Sequence, residues 1–228
     1  YAHALERLVT PASVVLDIGT GQGLLALLAC RAGAARVYAV ESDDVISVAR
    51  EAATASGFGD RIVCIQAKST AIELPERVDG VVADTHGVLP LFRDSLVSIA
   101  DARDRLLKPG GWIVPAREVM WAALVSSPPA YKSVIDVWNT EYGLDFSAAQ
   151  RRAANTWRQK RLTAAEVFVK PQRWATLDYT QACGTRINGE LMWTIERAGN
   201  GHGFAVWFDA ELAPGIVLSN SPEAREEH

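Results

Sequence analysis

Short apolar runs ending in an acid or a glycine alternate with longer stretches of helical period through the first half of the chain. Val14-Val-Leu16 runs into Asp17 and a set of glycines, which predicts a buried parallel strand. Leu24 to Ala32 predicts an Ala/Leu helix closed by Gly33, and Val37 to Val40 a second strand ending at Glu41. Asp43 or Asp44 is placed to cap a helix running to about Ser56, with Gly57 as its stop. Ile62 to Ile65 and Val78 to Ala83 predict two more strands, the latter ending at Asp84. Leu96 to Leu107 has helical period and stops at Lys108-Pro-Gly-Gly111, before a fifth strand at Trp112 to Val114. Alternation of this kind predicts a doubly wound α/β sheet.

The pattern changes near Ser126-Ser-Pro-Pro129, where a domain boundary is expected: residues 1–126 before it and 127–228 after. Five of the seven tryptophans lie beyond it. Lys132 to Tyr142 and Ala148 to Trp157 predict helices. Trp174 to Ala182, Glu190 to Arg197 and Phe204 to Phe208 predict strands, with Gly199-Asn-Gly-His-Gly203 as a hairpin turn between two of them. The second half is therefore expected to be rich in β structure.

Composition narrows the function classes. The 228 residues carry 23 Lys and Arg against 27 Asp and Glu, a formal charge of −4, and 49% are hydrophobic. That suits one large domain or two small ones and not a disordered chain. A mild acidic excess argues against a nucleic-acid module, since phosphate binding runs on surplus cations. No apolar run reaches the roughly 20 residues of a membrane span. Cys30, Cys64 and Cys183 are scattered and odd in number, matching neither a disulfide framework nor a metal spacing, so a reducing cytoplasm is expected. The chain starts with Tyr1 in mid-period and stops in a polar stretch, so it reads as part of a longer one.

Candidate chemistry centres on Asp17-Ile-Gly19-Thr-Gly21-Gln-Gly23, between a strand and a helix. Glycines let backbone turn tightly and approach a ligand where a Cβ would clash. The free amides of the following helix favour an anionic group. Glu41, ending the next strand, is placed to accept both hydroxyls of a ribose. Two nucleotide classes use this arrangement. Gly21-Gln-Gly-Leu-Leu-Ala26 fits the glycine spacing of NAD proteins. An acid two residues before three alternate glycines fits S-adenosylmethionine methyltransferases, in which the acid faces the methionine end. Leu106-Leu-Lys-Pro-Gly-Gly-Trp-Ile-Val114 resembles the helix, turn and strand that follow the fourth strand of class I methyltransferases.

The whole chain from Val14 resembles the protein arginine methyltransferase family. Leu16 to Leu25 is similar to its first motif, and Ala32 to Glu41 to the strand leading into its ribose-binding glutamate. Ile72-Glu-Leu-Pro75 and Lys108 to Pro115 match its next landmarks. Tyr131-Lys and Trp138 to Asp145 resemble the segment leading into its β-barrel. Leu218 to His228 resembles the approach to the barrel's Thr-His-Trp loop, which makes His228 the histidine of that loop. The resemblance implies a Rossmann-like class I methyltransferase sheet followed by a partial β-barrel. It implies S-adenosylmethionine as cofactor, S-adenosylhomocysteine as product, no metal, and a guanidinium-bearing acceptor. It also implies a homodimer built through an arm at about residues 148–168.

The chain departs from the family in two places, the acidic loop and the adenine edge. The family grips its guanidinium between two glutamates on the loop after the fourth strand, which neutralise the cation and orient one nitrogen. Here Asp84 takes the first place; the second falls on Arg93 in a gapless register, or on Asp94 if the loop is one residue longer. Aspartate reaches about 1.5 Å less far than glutamate, and an arginine would repel the substrate. His86, in the middle of the loop, is a candidate base or orienting donor. At the adenine, Thr70 stands where the family has a glutamate, next to Ser69, whose backbone amide is a candidate contact. A remodelled pocket for another acceptor, or a catalytically weak assembly protein of the same fold, are the competing readings.

Overall fold

The computed structural model describes residues 1–224 apart from 86, 92–93, 140–142, 182–183 and 185–186. The expected base His86, the arginine at 93 and His228 lie outside the described residues. The chain forms two compact units. The first comprises Tyr1–Val119, Ala175–Ile187 and Phe208–Ser219; the second comprises Met120–Trp174, Asn188–Trp207 and Asn220–His228. The boundary expected near 126–129 lies within the first segment of the second unit.

The first unit opens with helix α1 (Ala2–Leu8). Strand β1 (Val14–Ile18) is buried at all five positions, as a central parallel strand covered on both faces must be. Helix α2 (Leu24–Arg31) packs back on β1 and on β2 (Arg36–Glu41). Helix α3 (Ile46–Ala55) leads to β3 (Ile62–Gln66), and a short 3₁₀ turn at Ser69–Ala71 precedes β4 (Val78–Ala83). Helix α4 (Ser95–Asp101) passes into a π turn at Ala102–Leu106 and then β5 (Leu107–Val114). The sheet is parallel in the order β3-β2-β1-β4-β5. Leu16, Ile18, Val40, Val81, Leu96 and Ile99 belong to its buried core, joined from the later segment by Leu177 and Tyr179.

The turn expected at Lys108–Gly111 is instead an irregularity inside β5. The ladder pairs Val78 with Leu107 and next Gly80 with Trp112, so extra residues loop out of β5. Pro109 has no amide to give to a ladder, and Gly110 sits at φ 76°. Lys108 holds the loop through Asp79 at 2.7 Å, whose other oxygen accepts the Val14 amide at 2.8 Å. Trp112 then lies across Gly80, where any Cβ would overlap the indole.

A second sheet has the order β7-β6-β8-β9: β6 (Arg117–Val125), β7 (Gln172–Asp178), β8 (Gly203–Ala213) and β9 (Ile216–Ser219). β8 and β9 are antiparallel, joined through Pro214 and Gly215 at φ 78°. The hairpin is thus one element later than the glycine-rich turn at 199–203 suggests. The strand expected at Glu190–Arg197 does not form. A strand needs a ladder partner, and this segment is tied instead by single bonds: Trp193 Nε1 to the Lys170 carbonyl at 3.1 Å, and Gln172 Nε2 to the Met192 carbonyl at 2.8 Å. Helices α5 (Pro128–Val134) and α6 (Ser147–Ala154) are shorter than the periodicity predicts. Among the described residues, no helix is long and apolar enough to cross a membrane.

Candidate functional site

Register brings the site together. Ile18 of β1 lies level with Val40 of β2 and Ala83 of β4, and Glu41 level with Gln66 of β3. Asp17, Glu41, the 69–71 turn and Asp84 therefore share the carboxyl edge of the sheet. Successive strands run from β1 to β2 and β3 on one side while β4 lies on the other, so a crevice opens beside β1, where ligands of open α/β sheets bind.

The loop from Asp17 to Gly23 is shaped for close approach. Gly19, Gly21 and Gly23 have φ of 68°, 54° and 89°, a region in which a side chain costs roughly 1–2 kcal/mol. A Cβ on Gly19 would stand 2.6 Å from Thr85 Cγ2, and one on Gly23 would stand 2.9 Å from Ala49 Cβ. A Cβ on Gly21 would meet only the Gly19 carbonyl, at 4.0 Å. The amides of Gly19 and Thr20 both bond the Val40 carbonyl, at 2.8 and 3.0 Å, pinning the loop to β2. Glu41 then reaches into it: Oε2 accepts the Gly21 amide at 3.2 Å, and Oε1 the Asp43 amide at 3.0 Å.

Asp17 is wholly buried. Its Oδ2 accepts the Thr20 hydroxyl at 2.5 Å, while Oδ1 has no hydrogen-bond partner. Burial pushes its carboxyl up to about 7, against the pull of Thr20 and the Ala26 amide, with Asp84 and Glu41 adding repulsion. The orphaned oxygen and the glycine cradle fit a ligand carrying hydrogen-bond donors at this edge. Ser69 is buried and Thr70 exposed. The turn that carries them is held by Arg105, which donates to the carbonyls of Ile72 (2.5 Å) and Ser69 (3.2 Å) and pairs with Asp101 at 2.8 Å.

On the acceptor side, Asp84 is exposed at the end of β4, and Asp94 is exposed at the start of α4 without capping it through its side chain. Their neighbours Thr85 and Ser95 are hydrogen-bonded at 2.7 Å, so each acid stands next to one end of a short bridge between the loop after β4 and α4.

Three residues here were missed in the sequence reading. The Tyr1 hydroxyl donates to the Ala83 carbonyl at 3.4 Å and is hydrogen-bonded to Asp84. Burial first, then Asp84, Glu118 and Asp17, hold that phenol well above the usual tyrosine range. Glu118, in β6, is wholly buried and accepts the Tyr179 hydroxyl at 2.5 Å. Burial raises its carboxyl to about 7; the Tyr179 bond opposes this and the Asp84 charge adds to it. A signal for Glu118 was present: in Arg117-Glu-Val-Met-Trp-Ala it falls in phase with Met120 and Ala122, on the buried face of an alternating strand.

Comparison with known proteins agrees with this geometry. A family model described as ribosomal protein L11 methyltransferase (PrmA) matches residues 2–116. A second, described as the arginine methyltransferase oligomerization subdomain, matches residues 116–228. Protein arginine N-methyltransferase 6 of Xenopus laevis runs through both regions, 32% identical over 228 residues, covering 94% of this chain and 66% of its own length. The chain belongs to the protein arginine methyltransferase family. A probable protein arginine N-methyltransferase 6 of Arabidopsis thaliana is 32% identical over 211 residues, 88% of this chain and 48% of that protein. The chain thus spans about half to two-thirds of these relatives' length. Among solved structures, a Trypanosoma brucei PRMT1 enzyme–prozyme heterotetrameric complex with AdoHcy superposes with a TM-score of 0.84 at 24% identity, covering 97% of this chain and 73% of that one. A structure of PRMT6 with SAH gives 0.77 at 19% identity, covering 100% and 80%. These two likenesses establish the shared fold: a Rossmann-like methyltransferase sheet with a second, antiparallel sheet.

Proposed function

We propose that this chain is the main part of an S-adenosylmethionine-dependent N-methyltransferase acting on a guanidinium or related nitrogen of a protein, peptide or small molecule. The observation that carries the reading is the shared edge formed by the Asp17–Gly23 cradle, Glu41 and Asp84. Glu41 would hold the ribose hydroxyls, Gly19, Gly21 and Gly23 would let the ligand lie against backbone, and Ser69 and Thr70 would border the adenine. Asp17, with its orphaned oxygen, would face the amino acid end. When bound, S-adenosylmethionine supplies an electrophilic methyl group on a sulfonium and leaves as S-adenosylhomocysteine.

The protein's part is mainly positioning. Asp84 accepts a hydrogen bond from the acceptor, aligns one nitrogen lone pair with the methyl, and holds the proton that the nitrogen sheds as the new N–C bond forms. Asp94 adds charge across the Thr85–Ser95 bridge, and His86 and His228 are further candidates for orienting the acceptor. No residue set of this site needs a metal for the displacement. A homodimer and a cytoplasmic location complete the reading. The match to an oligomerization subdomain and the exposure of Trp157 (68%), in the arm-like stretch after α6, support association.

A second reading has one observation in its favour. The acidic loop carries Asp84 where the family has a longer acid, and Arg93 where the gapless register expects the second. A weakly active assembly partner would tolerate both changes. Labelled S-adenosylmethionine offered to the full-length protein with arginine peptides and free arginine separates the two. Methyl transfer that is lost in Asp84→Asn supports the enzyme; cofactor binding without transfer to any acceptor supports the partner.

A further inference from the structure

A cleft of about 460 Å³ opens in the first unit where β4 and β5 begin, at the end of the sheet opposite the cofactor edge. Val78, the first residue of β4, lies about 17 Å along the strand from Ala83 at the usual rise per residue. Three irregular pieces of chain meet at the cleft. Arg77 precedes β4, the π turn at Ala102–Leu106 carries Arg103 and Asp104, and the loop thrown out of β5 carries Lys108. Arg103 is held firmly: Nε and Nη2 bond the two oxygens of Asp104 at 2.7 and 3.0 Å, and Nη1 donates to the Gln181 carbonyl. The Arg103 side chain is 12% exposed and that of Asp104 69%, so the cation lies inside and its counter-charge out in water. Lys108 is paired with Asp79 at 2.7 Å. Arg77 donates to the Leu107 carbonyl at 2.9 Å and forms no ion pair among the described residues. Three cations thus face two acids, and Arg77 carries the charge left over.

We infer that this cleft binds a phosphate group, on a small monoester or as the free ion, through Arg77, Arg103 and Lys108. The inference is independent of the methyltransferase reading, since no residue of the cleft belongs to the cofactor edge. Arg77 uses one of its guanidinium donors on Leu107 and Lys108 one of its ammonium donors on Asp79, so both keep N–H groups for a ligand. Such charge-assisted bonds to an anion are the strong ones. A carboxylate is planar and is satisfied by one arginine fork. Here the cations come from three separate elements around one space, which suits the tetrahedral oxygens of a phosphate. The volume falls in the range of small-molecule sites, and Leu107 and Ile113 offer apolar surface to the body of an ester. Gly110, at φ 76°, turns the β5 loop outward, and a Cβ there would meet nothing within 4 Å, so the mouth stays open. π turns recur at functional sites, and this one supplies the innermost cation. A ligand bridging Arg77 to the β5 loop would fasten β4 to β5 and stabilise the folded chain by mass action.

The test is a phosphorus NMR titration of the full-length protein with inorganic phosphate and with phenyl phosphate, at constant ionic strength, with and without S-adenosylhomocysteine. Acetate, added as a competitor, is the carboxylate control. Saturable broadening of the phosphate resonance by wild type, unchanged by S-adenosylhomocysteine and little affected by acetate, is the expected result. Arg77→Gln should weaken binding about fivefold, the size of an exposed charge pair. Asp104→Asn removes the acid that opposes the ligand and should strengthen binding by a similar factor, a gain that damage to the fold does not produce. Tighter binding of phenyl phosphate assigns the apolar wall to the body of an ester, and equal binding of the two makes the free ion the ligand. Either supports the site. Absence of saturable binding, displacement of phosphate by S-adenosylhomocysteine, or acetate competing as an equal would overturn it. So would affinities that stay unchanged in both variants or that shift in the same direction in both.

Discussion

The hydroxyl of Thr85 lies 2.7 Å from that of Ser95, joining the loop after β4 to the first turn of α4. One residue away on each side stand Asp84 and Asp94. Asp84 is anchored by a buried strand end, whereas Asp94 stands exposed at the start of α4, its carbonyl accepting the Ser98 amide at 2.9 Å. Asp84→Asn is therefore expected to abolish methyl transfer while S-adenosylmethionine binding is largely kept. Asp94→Asn and Ser95→Ala should lower the rate less, the latter at a stability cost of about 1 kcal/mol for the lost bond. Initial rates with saturating cofactor check the order; the reverse order would move the clamp away from Asp84.

The glycine cradle makes a steric prediction. Gly23→Ala combines a φ of 89° with a Cβ 2.9 Å from Ala49 of α3. It should destabilise the fold by at least about 1–2 kcal/mol, seen as a lower urea midpoint. Gly19→Ala presses on Thr85 at 2.6 Å and so on the acceptor loop. It should reduce both S-adenosylhomocysteine affinity and transfer. A variant that loses neither would mean that the loop does not lie under the ligand.

The buried acids set a pH dependence. Asp17 and Glu118 are raised from 3.8 and 4.5 to about 7. Between about pH 4 and 7 the native chain keeps protons that the unfolded chain has released, so unfolding becomes easier as pH rises through that window. Their penalty is absent below about pH 4 and fully present above about pH 7. The double variant Asp17→Asn/Glu118→Gln should show a flatter decline in urea-unfolding free energy between pH 5 and 7.5 than wild type. An equal slope would place the titrating groups elsewhere.

Arg105 is expected to act on the cofactor from a distance. It ties the carbonyls of Ser69 and Ile72 and is itself held by Asp101. Arg105→Met should free the turn that borders the adenine and weaken S-adenosylhomocysteine about fivefold, near 1 kcal/mol for the bonds lost. Binding of free methionine should not change.

The parallel sheet was legible because each strand is a short apolar run closed by a chemically distinctive residue: Asp17, Glu41 and Asp84 all stand where register later brings them to one edge. The second half was less so. Strand β6 directly follows the cis Val114–Pro115 bond and Ala116, with no glycine turn to announce it. Glu190–Arg197 shows the opposite error, since alternation there exists without a partner strand. Glu118 and Tyr179 are 61 residues apart in sequence; nothing local to either signals that they meet. Arg105 reads as one more charge on a solvated helix face, and its role appears only once the 69–72 turn folds under it.

The most direct test of the central claim is a calorimetric titration of S-adenosylhomocysteine into wild type and Glu41→Ala. Glu41 already bonds the Gly21 amide at 3.2 Å, within the cradle. Stoichiometric binding to wild type, weakened in the variant by roughly 1.5–3 kcal/mol as for a charged hydrogen bond, is the expected result. Absence of binding to wild type, or equal affinity in both proteins, would contradict the assignment of this edge to the cofactor.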